Sequence, residues 1–227
     1  MSVSITWHGH STFTLDVDGT QVVIDPYFDN NPAAKTKAAE VAADFVLLTH
    51  GHFDHVDDAV PLARRTGAKL IANFEIVNWV AAQGYDNVHG QYHGGGYQHE
   101  FGHLKFTPAW HGSGLPDGTY GGNPAGFLLT VGGKRIYISG DTALFSDMAL
   151  IGEGGLDLAV LCIGDNFTMG PDDAIKAIRL LQPKMVIPCH YNTWPLIAVD
   201  VAAWAARVEA ETDARPVVPE VDVPFAL

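Results

Sequence analysis

Cysteine is scarce in this sequence: only Cys162 and Cys189 occur among 227 residues. Two cysteines cannot form a disulfide framework, and both lie within apolar runs, so we expect buried, reduced thiols in a reducing compartment. The first residues also lack a basic stretch followed by an apolar one, which argues against a secretory signal peptide. Together these features predict a soluble cytoplasmic protein.

Positive charge is also in short supply, and this limits the possible partners. Lys and Arg total 13 against 26 Asp and Glu, a formal net charge of −13. An acidic surface repels phosphate backbones, so nucleic acid is not expected as a partner. No apolar run approaches the ~18 residues that a transmembrane helix needs, so no membrane partner is expected either. A small-molecule substrate is the predicted partner, and association into a homo-oligomer stays open.

Apolar residues, by contrast, are plentiful: 47% of the chain is hydrophobic and 17% is charged, which allows a large core without disulfides. Strands come first and then alternate with helices, an order typical of a layered α/β domain with helices on both faces. No linker or clear internal repeat divides residues 1–227, so we predict one domain. The predicted strands cover 3–7, 12–17, 21–24, 45–48, 69–72, 104–110, 127–131, 135–139, 156–161 and 185–188. The predicted helices cover 56–65 and 74–83, with a third beginning near residue 171 and a fourth around residues 201–208.

The densest group of chemically active side chains is the segment THGHFDH at 49–55, directly after a predicted buried strand. Residues two apart on an extended segment face the same way, so His50, His52 and Asp54 can converge. His55 can point towards a second position as the chain turns into the next helix. Imidazole and carboxylate are ligands for zinc and manganese, and this spacing favours two neighbouring metal ions over one, and over a solvated polar loop.

Three further potential ligands, His111, Asp141 and His190, each stand where a predicted strand stops. Open α/β sheets place their ligand sites at such an edge. Any one of these residues alone is more often structural than a ligand. Together with the cluster at 50–55 they complete a set of seven candidates.

The His-x-His-x-Asp-His motif, followed by a separate histidine, an aspartate in a Gly-Asp-Thr turn and a last histidine, resembles the metallo-β-lactamase superfamily. The likeness is strongest to an uncharacterised branch of small metal-dependent hydrolases related to the ascorbate-phosphate lactonase group. Three segments produce this closer match: Gly9-His10-Ser11, NFTMGP at 166–171 and PCHYNTWP at 188–195. The resemblance extends along nearly the whole chain.

This resemblance implies a four-layer αββα sandwich with two divalent metal ions at one edge, zinc first and manganese or iron as alternatives. The implied ligands are His50, His52 and His111 for the first ion, Asp54, His55 and His190 for the second, and Asp141 as the bridge. The ions would activate a water molecule that attacks a lactone, phosphodiester or related ester or amide. Asp54 and Asp141 would be the catalytic carboxylates, since Asp54 could also orient the water.

Other residues are expected around the metal ligands, where they would contact substrate or support a ligand, with turn and core roles as the alternative. These are His10, Asp25, Asn166, Thr168, Asn192 and Trp194. Two positions depart from the expected branch pattern: Asp165, where a glycine is expected, and His8 beside His10. The histidines at 89–103 (His89, His93, His99 and His103) are expected in solvated loops, with a lid or an extra metal site as alternatives.

Three other functions are alternatives on the same fold. A redox di-iron protein favours carboxylates in the first cluster and a flavin partner domain, whereas this motif has histidine at both leading positions. A non-catalytic binding module usually loses ligands, and all seven are present here. A nuclease conflicts with the acidic balance and the lack of a basic, aromatic-interleaved stretch. A metal-dependent hydrolase is therefore the predicted function.

Overall fold

The computed structural model describes residues 2–227, which form two sheets of seven strands each. The strands in chain order are β1 (Val3–Trp7), β2 (Phe13–Val17), β3 (Thr20–Ile24), β4 (Phe45–Leu47), β5 (Lys69–Ala72), β6 (Val88–Gly90), β7 (Gly96–His99), β8 (Gly102–Pro108), β9 (Ala125–Val131), β10 (Lys134–Ile138), β11 (Leu156–Cys162), β12 (Pro183–Cys189), β13 (Arg215–Pro216) and β14 (Phe225–Ala226). The first sheet has the order β14-β1-β2-β3-β4-β5-β6, and the second has the order β13-β12-β11-β10-β9-β8-β7.

Both sheets combine an antiparallel part with a parallel part. In the first, β14 to β3 pair antiparallel and β3 to β6 pair parallel. In the second, β7 to β10 pair antiparallel and β10 to β13 pair parallel. In chain order, antiparallel strands therefore precede parallel strands both in β1–β6 and in β7–β13, although the sequence shows no clear repeat.

Within residues 2–227, six α-helices connect or follow the strands: α1 (Phe53–Val56), α2 (Ala59–Thr66), α3 (Phe74–Ala82), α4 (Met148–Gly152), α5 (Pro171–Leu181) and α6 (Val201–Glu211). Two short 3₁₀ helices cover Ala38–Glu40 and Pro195–Ile197. Their ends follow from local chemistry. Asn73 and Asp200 accept backbone N–H groups in the first turns of α3 and α6, and Pro171 opens α5 at a position that needs no N–H donor. The longest helices have 11 residues, and within residues 2–227 none has the length and hydropathy to cross a bilayer.

Alternate residues of the central strands face two different hydrophobic cores. Ile24 and Leu47 belong to the core that the two sheets share, together with Phe127 of the second sheet. Val23 and Val46 instead join the cluster formed with α2 and α3. Helices α5 and α6 contact the second sheet, so the layers run helix, sheet, sheet, helix. The predicted four-layer αββα sandwich is confirmed.

Several element boundaries differ from the prediction. The helix predicted over 56–65 is interrupted, because Asp58 turns its carboxylate towards the backbone N–H groups of Phe28 and Asp29. The strand predicted over 104–110 ends at Pro108, since the N–H of Trp110 donates to Thr142 Oγ1 at 2.9 Å. His111 therefore lies in a loop rather than at the strand end. The short elements β6, β7, α4, β13 and β14 were not predicted.

Candidate metal centre

Loops from both sheets meet at one edge of the sandwich and bring the predicted ligands together. The N–H of Ala125 donates to the carbonyl of Thr49 at 2.9 Å, and the N–H of His190 donates to the carbonyl of His10 at the same distance. Each of these hydrogen bonds ties a loop of the first sheet to one of the second. These hydrogen bonds hold the segments that contain the candidate ligands together at one edge of the two sheets.

His50, His52 and His111 form one group whose ligand atoms all lie within 4.8 Å of one another. His50 Nε2 is 3.1 Å from His52 Nδ1, and the ring centroids of His50 and His111 are 5.2 Å apart. Three nitrogen donors at these separations can face one cation. They are the three residues that the family resemblance assigns to the first ion.

Asp54, His55 and His190 form a second group, again with ligand atoms within 4.8 Å, and His10 joins them. Asp54 Oδ2 lies 3.7 Å from His55 Nε2 and 3.8 Å from His190 Nε2. All four residues are buried. This group matches the ligand set implied for the second ion, with one additional histidine.

Asp141 lies between the two groups. Its Oδ2 is 3.5 Å from His111 Nε2 in the first group, and 3.5 Å and 3.0 Å from His55 Nε2 and His190 Nε2 in the second. The preceding Gly140 has φ +58°, and a Cβ there would lie 2.7 Å from the Ala125 carbonyl oxygen. Glycine thus permits the tight turn that places the Asp141 carboxylate in the middle of the cluster.

Hydrogen bonds on the far side of the rings select which nitrogen faces the centre. Asp25 Oδ2 accepts from His55 Nδ1 at 2.8 Å and from the Thr49 hydroxyl at 2.6 Å. Because Thr49 gives its only hydroxyl proton to Asp25, it accepts from His50 Nδ1, 3.0 Å away. In both rings Nε2 is therefore the nitrogen that faces the centre, the arrangement seen around metal-binding histidines.

Two buried atoms at the centre have no hydrogen-bond partner, His55 Nε2 and Asp141 Oδ1. A buried polar atom without a partner costs about 1–3 kcal/mol, so such atoms call for an explanation. A divalent cation between the two groups would satisfy both. Five imidazoles and two carboxylates are donors that zinc, manganese and iron accept, so these residues fit a pair of such ions.

The charges at the centre are strongly coupled. Burial alone would lower the pKa of His55, but Asp141, Asp25 and Asp54 outweigh it and raise that pKa well above the ordinary value. Burial would raise the pKa of Asp141, but the neighbouring His190 and His55 hold it well below its usual range. A proton on His55 thus balances the carboxylates, and a bound cation would displace it.

His10 contacts Asp54 within the second group. Its Nε2 is 2.9 Å from Asp54 Oδ2, and its Nδ1 is 2.8 Å from the Thr193 hydroxyl. Burial lowers the pKa of His10 to about 4, so the ring is neutral at pH 7. The Nε2–H then donates to Asp54, while Nδ1 accepts from Thr193. The structure thus brings this predicted neighbour of the site directly against a ligand.

Three residues of the site have left-handed backbone conformations: His10 (φ 53°), Asp25 (φ 48°) and His190 (φ 54°). Each comes directly or shortly after a strand. Residues other than glycine seldom adopt such angles, and they concentrate at functional sites. The sharp turns aim all three side chains inward.

A pocket of about 280 Å³ opens onto this cluster. Its wall consists of the candidate ligands His52, Asp54, His111, Asp141 and His190 and of three aromatic rings, Phe53, Phe167 and Trp194. Trp194, which was expected near the site, is thus part of the pocket wall. The sequence analysis did not predict that Phe53 and Phe167 line the pocket, although they lie in the segments 49–55 and 166–171. For Phe53, the usable signal was an apolar side chain between two candidate ligands. Thr49 and Thr193 were missed as well, because hydroxyl groups beside ligands have no distinctive spacing.

Three predicted substrate contacts do not reach the pocket wall. Asn192 is exposed, and its Oδ1 accepts the N–H of Val199 at 2.7 Å. Asn166 is exposed in a tight turn with φ 47°, and the Thr168 hydroxyl donates to the carbonyl of Met169. Short polar side chains that are close to the candidate ligands in the sequence stabilise loops here, so the predicted contact of these three residues with substrate stays a prediction. Asp165 belongs to the same exposed turn.

The remaining histidines lie away from the cluster. His8 Nδ1 is 2.5 Å from Asp222 Oδ1 and so connects β1 with the C-terminal segment. The segment around residues 89–103 forms edge strands rather than a lid, and within residues 2–227 no group of metal-binding side chains occurs there. The prediction of solvated loops is wrong for His99, which is 7% exposed and stacks on Phe101 with ring centroids 5.2 Å apart.

Known proteins resemble this chain over almost its full length. A sequence profile described as the Beta-lactamase superfamily domain matches residues 4–190. A UPF0173 metal-dependent hydrolase of Thermus thermophilus is 52% identical over 90% of this chain and 91% of its own. Another UPF0173 metal-dependent hydrolase, of Pelotomaculum thermopropionicum, is 48% identical over 94% of this chain and 95% of its own length. A metallo hydrolase from the hyperthermophilic archaeon Ignicoccus hospitalis has a structure with TM-score 0.90 and 34% identity, covering 100% of this chain and 99% of that one.

Proposed function

Because the chain belongs to the metallo-β-lactamase superfamily as a metal-dependent hydrolase of the UPF0173 family, we propose that its seven-residue cluster binds two divalent metal ions and hydrolyses a small-molecule ester. The proposed substrate is a lactone, a phosphodiester or a related ester or amide. Nucleic acid and membranes are not proposed as partners, and association into a homo-oligomer remains a prediction. Kinship with the ascorbate-phosphate lactonase group also stays a prediction.

The observation that best supports this proposal is the position of Asp141, within 3.5 Å of a histidine in each group. A carboxylate in that place suits a bridge between two ions. We assign His50, His52 and His111 to the first ion and Asp54, His55 and His190 to the second. Zinc is the proposed metal, with manganese or iron as alternatives, since these ions share imidazole and carboxylate ligands.

Bound divalent ions would supply a water nucleophile near neutral pH and would polarise the substrate oxygen. The protein's own residues position the reactants. The hydrogen bond from His10 leaves the second oxygen of Asp54 free to orient the attacking water. Asp25 and Thr49 hold the His55 and His50 rings, so the ligands need little rearrangement during the reaction. No G-x-S-x-G segment occurs in the chain, in keeping with a mechanism that needs no serine nucleophile.

Metal analysis of purified protein, paired with a panel of lactones, phosphodiesters and carboxylic esters, tests this proposal. We expect close to two ions per chain and turnover that chelation abolishes. Asp141→Ala should lower the metal content and reduce kcat/KM by at least ~10²-fold, because it removes the shared ligand. Asp213→Ala, at an exposed aspartate outside the cluster, serves as the control and should retain both. Full activity after metal removal would refute the proposal, and coloured, iron-containing protein without hydrolysis would favour the di-iron alternative.

A further inference from the structure

We propose that three aromatic side chains at the pocket mouth, Phe53, Phe167 and Trp194, select a substrate whose group beside the scissile bond is apolar and uncharged. These residues are called the aromatic rim below. The inference rests on the proposed hydrolytic function and adds the chemical class of the substrate to it.

Phe53 lies between two ligands in the sequence, His52 and Asp54, and is the first residue of α1. Its side chain is 52% exposed, although burial of a phenylalanine ring is normally favourable. Its ring packs edge-on against Tyr27 at 6.0 Å between centroids and lies 6.1 Å from Trp194. The ring is thus held in place by aromatic neighbours while one face stays open to the pocket.

Phe167 reaches the rim from the second sheet and is 50% exposed. Asp165 and Asn166 have left-handed backbone conformations, with φ 60° and 47°, and so form the tight turn that presents it. The turn is fixed to the loop that contains Asp141, because the N–H of Met169 donates to the carbonyl of Thr142 at 2.9 Å. An exposed phenylalanine on a turn with this support is placed to contact a ligand rather than to fill a core.

The pocket wall contains no cation from the protein. None of the 13 lysines and arginines lines it, and its charged side chains are the carboxylates of Asp54 and Asp141. Bound metal ions would attract the reacting group itself. A second anionic group farther along the substrate would meet aromatic rings instead, and its loss of hydration would go uncompensated. An apolar group in the same place gains free energy from burial.

The size of the pocket sets a limit on that group. A volume of about 280 Å³ is at the lower end for small-molecule sites, which begin near ~300 Å³. It accommodates the reacting carbonyl and a short alkyl chain or a single aromatic ring. Polymers would have to lie outside it.

Two p-nitrophenyl esters of equal chain length test the inference: the neutral hexanoate and the adipate monoester, which has a carboxylate at the far end. The metal-loaded wild type should hydrolyse the hexanoate with a kcat/KM at least ~10-fold above that of the adipate monoester. In a Phe53→Ala/Phe167→Ala double variant the ratio should fall to about twofold, as the hexanoate loses its contacts. The kcat/KM for the short p-nitrophenyl acetate should fall less than that for the hexanoate, because the acetate lacks the chain that contacts the rim.

Phe74→Ala is a closely matched control, since Phe74 also begins a helix and is 53% exposed, but away from the pocket. It should behave as the wild type. Calorimetric binding of 4-methylphenol, which has a single ring, gives a readout independent of turnover: the double variant should bind it about tenfold more weakly than either wild type or the control. Equal kcat/KM for the two long esters, or an unchanged ratio in the double variant, would overturn the inference while leaving hydrolysis intact. Absence of turnover with every ester would instead count against the proposed function.

Discussion

The carboxylate of Asp25 accepts a hydrogen bond from His55 Nδ1 at 2.8 Å, with both side chains at most 1% exposed. The same carboxylate also accepts hydrogen bonds from the backbone N–H and the hydroxyl of Thr49. Asp25 therefore does not belong to the metal groups but fixes the ring that belongs to them. Its contribution is to keep His55 Nε2 pointing towards Asp54 and Asp141.

Asp25→Asn should weaken metal binding by about 10–100-fold, the usual effect of removing a group that orients a metal ligand. An amide at this position accepts more weakly from His55 and places an N–H group near Thr49. Competition with a chromogenic chelator would measure the affinity. Asp58→Asn is the control, because Asp58 is also buried and accepts backbone N–H groups but touches no ligand. Equal affinities for the two variants would contradict the role assigned to Asp25.

His10→Gln should reduce the metal content from about two ions to about one per chain, because His10 orients only the group that contains Asp54. Thr193→Val, which removes the hydroxyl bound to His10 Nδ1, should have a smaller effect in the same direction. Elemental analysis after gel filtration would give the stoichiometry. Loss of both ions, or of neither, would argue against this selective role.

The ligands were predictable because their signal is local. Residues 50–55 have a spacing that few other functions need, and His111, Asp141 and His190 each follow a strand whose apolar residues are evident in the sequence. Strand ends gather at one sheet edge whatever the details of packing. The αββα layers follow from the same pattern of strands and helices.

The surroundings of the ligands were harder to predict. The left-handed backbone of His10 and His190 has no signature in the sequence, since glycine or asparagine is the usual residue at such angles. The exposure of the Phe53 and Phe167 rings was not predicted, because exposure is decided by tertiary packing rather than by residue type. His99 was predicted to be solvated because its neighbours are polar and rich in glycine. In the structure it lies at the end of the edge strand β7 and is buried.

Chelation should lower the midpoint of thermal unfolding by about 5–10 °C, because ions that bind only the folded chain stabilise it by about 3 kcal/mol at 100 times their Kd. The orphaned atoms of His55 and Asp141 are the structural reason for this expectation. Differential scanning calorimetry with and without chelator would measure it. The shift should be much smaller in Asp141→Ala, and a chelation shift of wild-type size in that variant would contradict the assigned ligand.

Cys162 and Cys189 are directly paired across β11 and β12 as free, buried cysteines, in agreement with the prediction from their apolar surroundings. Burial raises the pKa of both thiols, that of Cys189 well above the ordinary value. Because the thiolate is the reactive form, Ellman's reagent at pH 8 should label fewer than about 0.1 thiol per native chain within minutes. In denaturant it should label both. Rapid labelling of the native protein would show that this part of the second sheet opens readily.

The stability of the fold should decrease below neutral pH partly because of His99. Burial, aided by the charges of His89 and Lys69, lowers the pKa of His99 from 6.5 to about 4. The folded state thus binds this proton less readily than the unfolded state. The stabilisation is fully present above pH 6.5 and is lost as the pH falls from 6.5 towards 4.

His99→Phe should therefore lose about 1 kcal/mol less stability than the wild type between pH 7 and pH 5, a value reduced from the full effect of the shift over this range to allow for solvent screening. Phenylalanine preserves the packing against Phe101 and Phe45 and removes the titrating group. Urea unfolding of both proteins under chelation gives the comparison, since the metal-ligand histidines then titrate equally in each and cancel in the difference. Parallel pH profiles would show that His99 accepts its proton in the folded state as easily as in the unfolded chain.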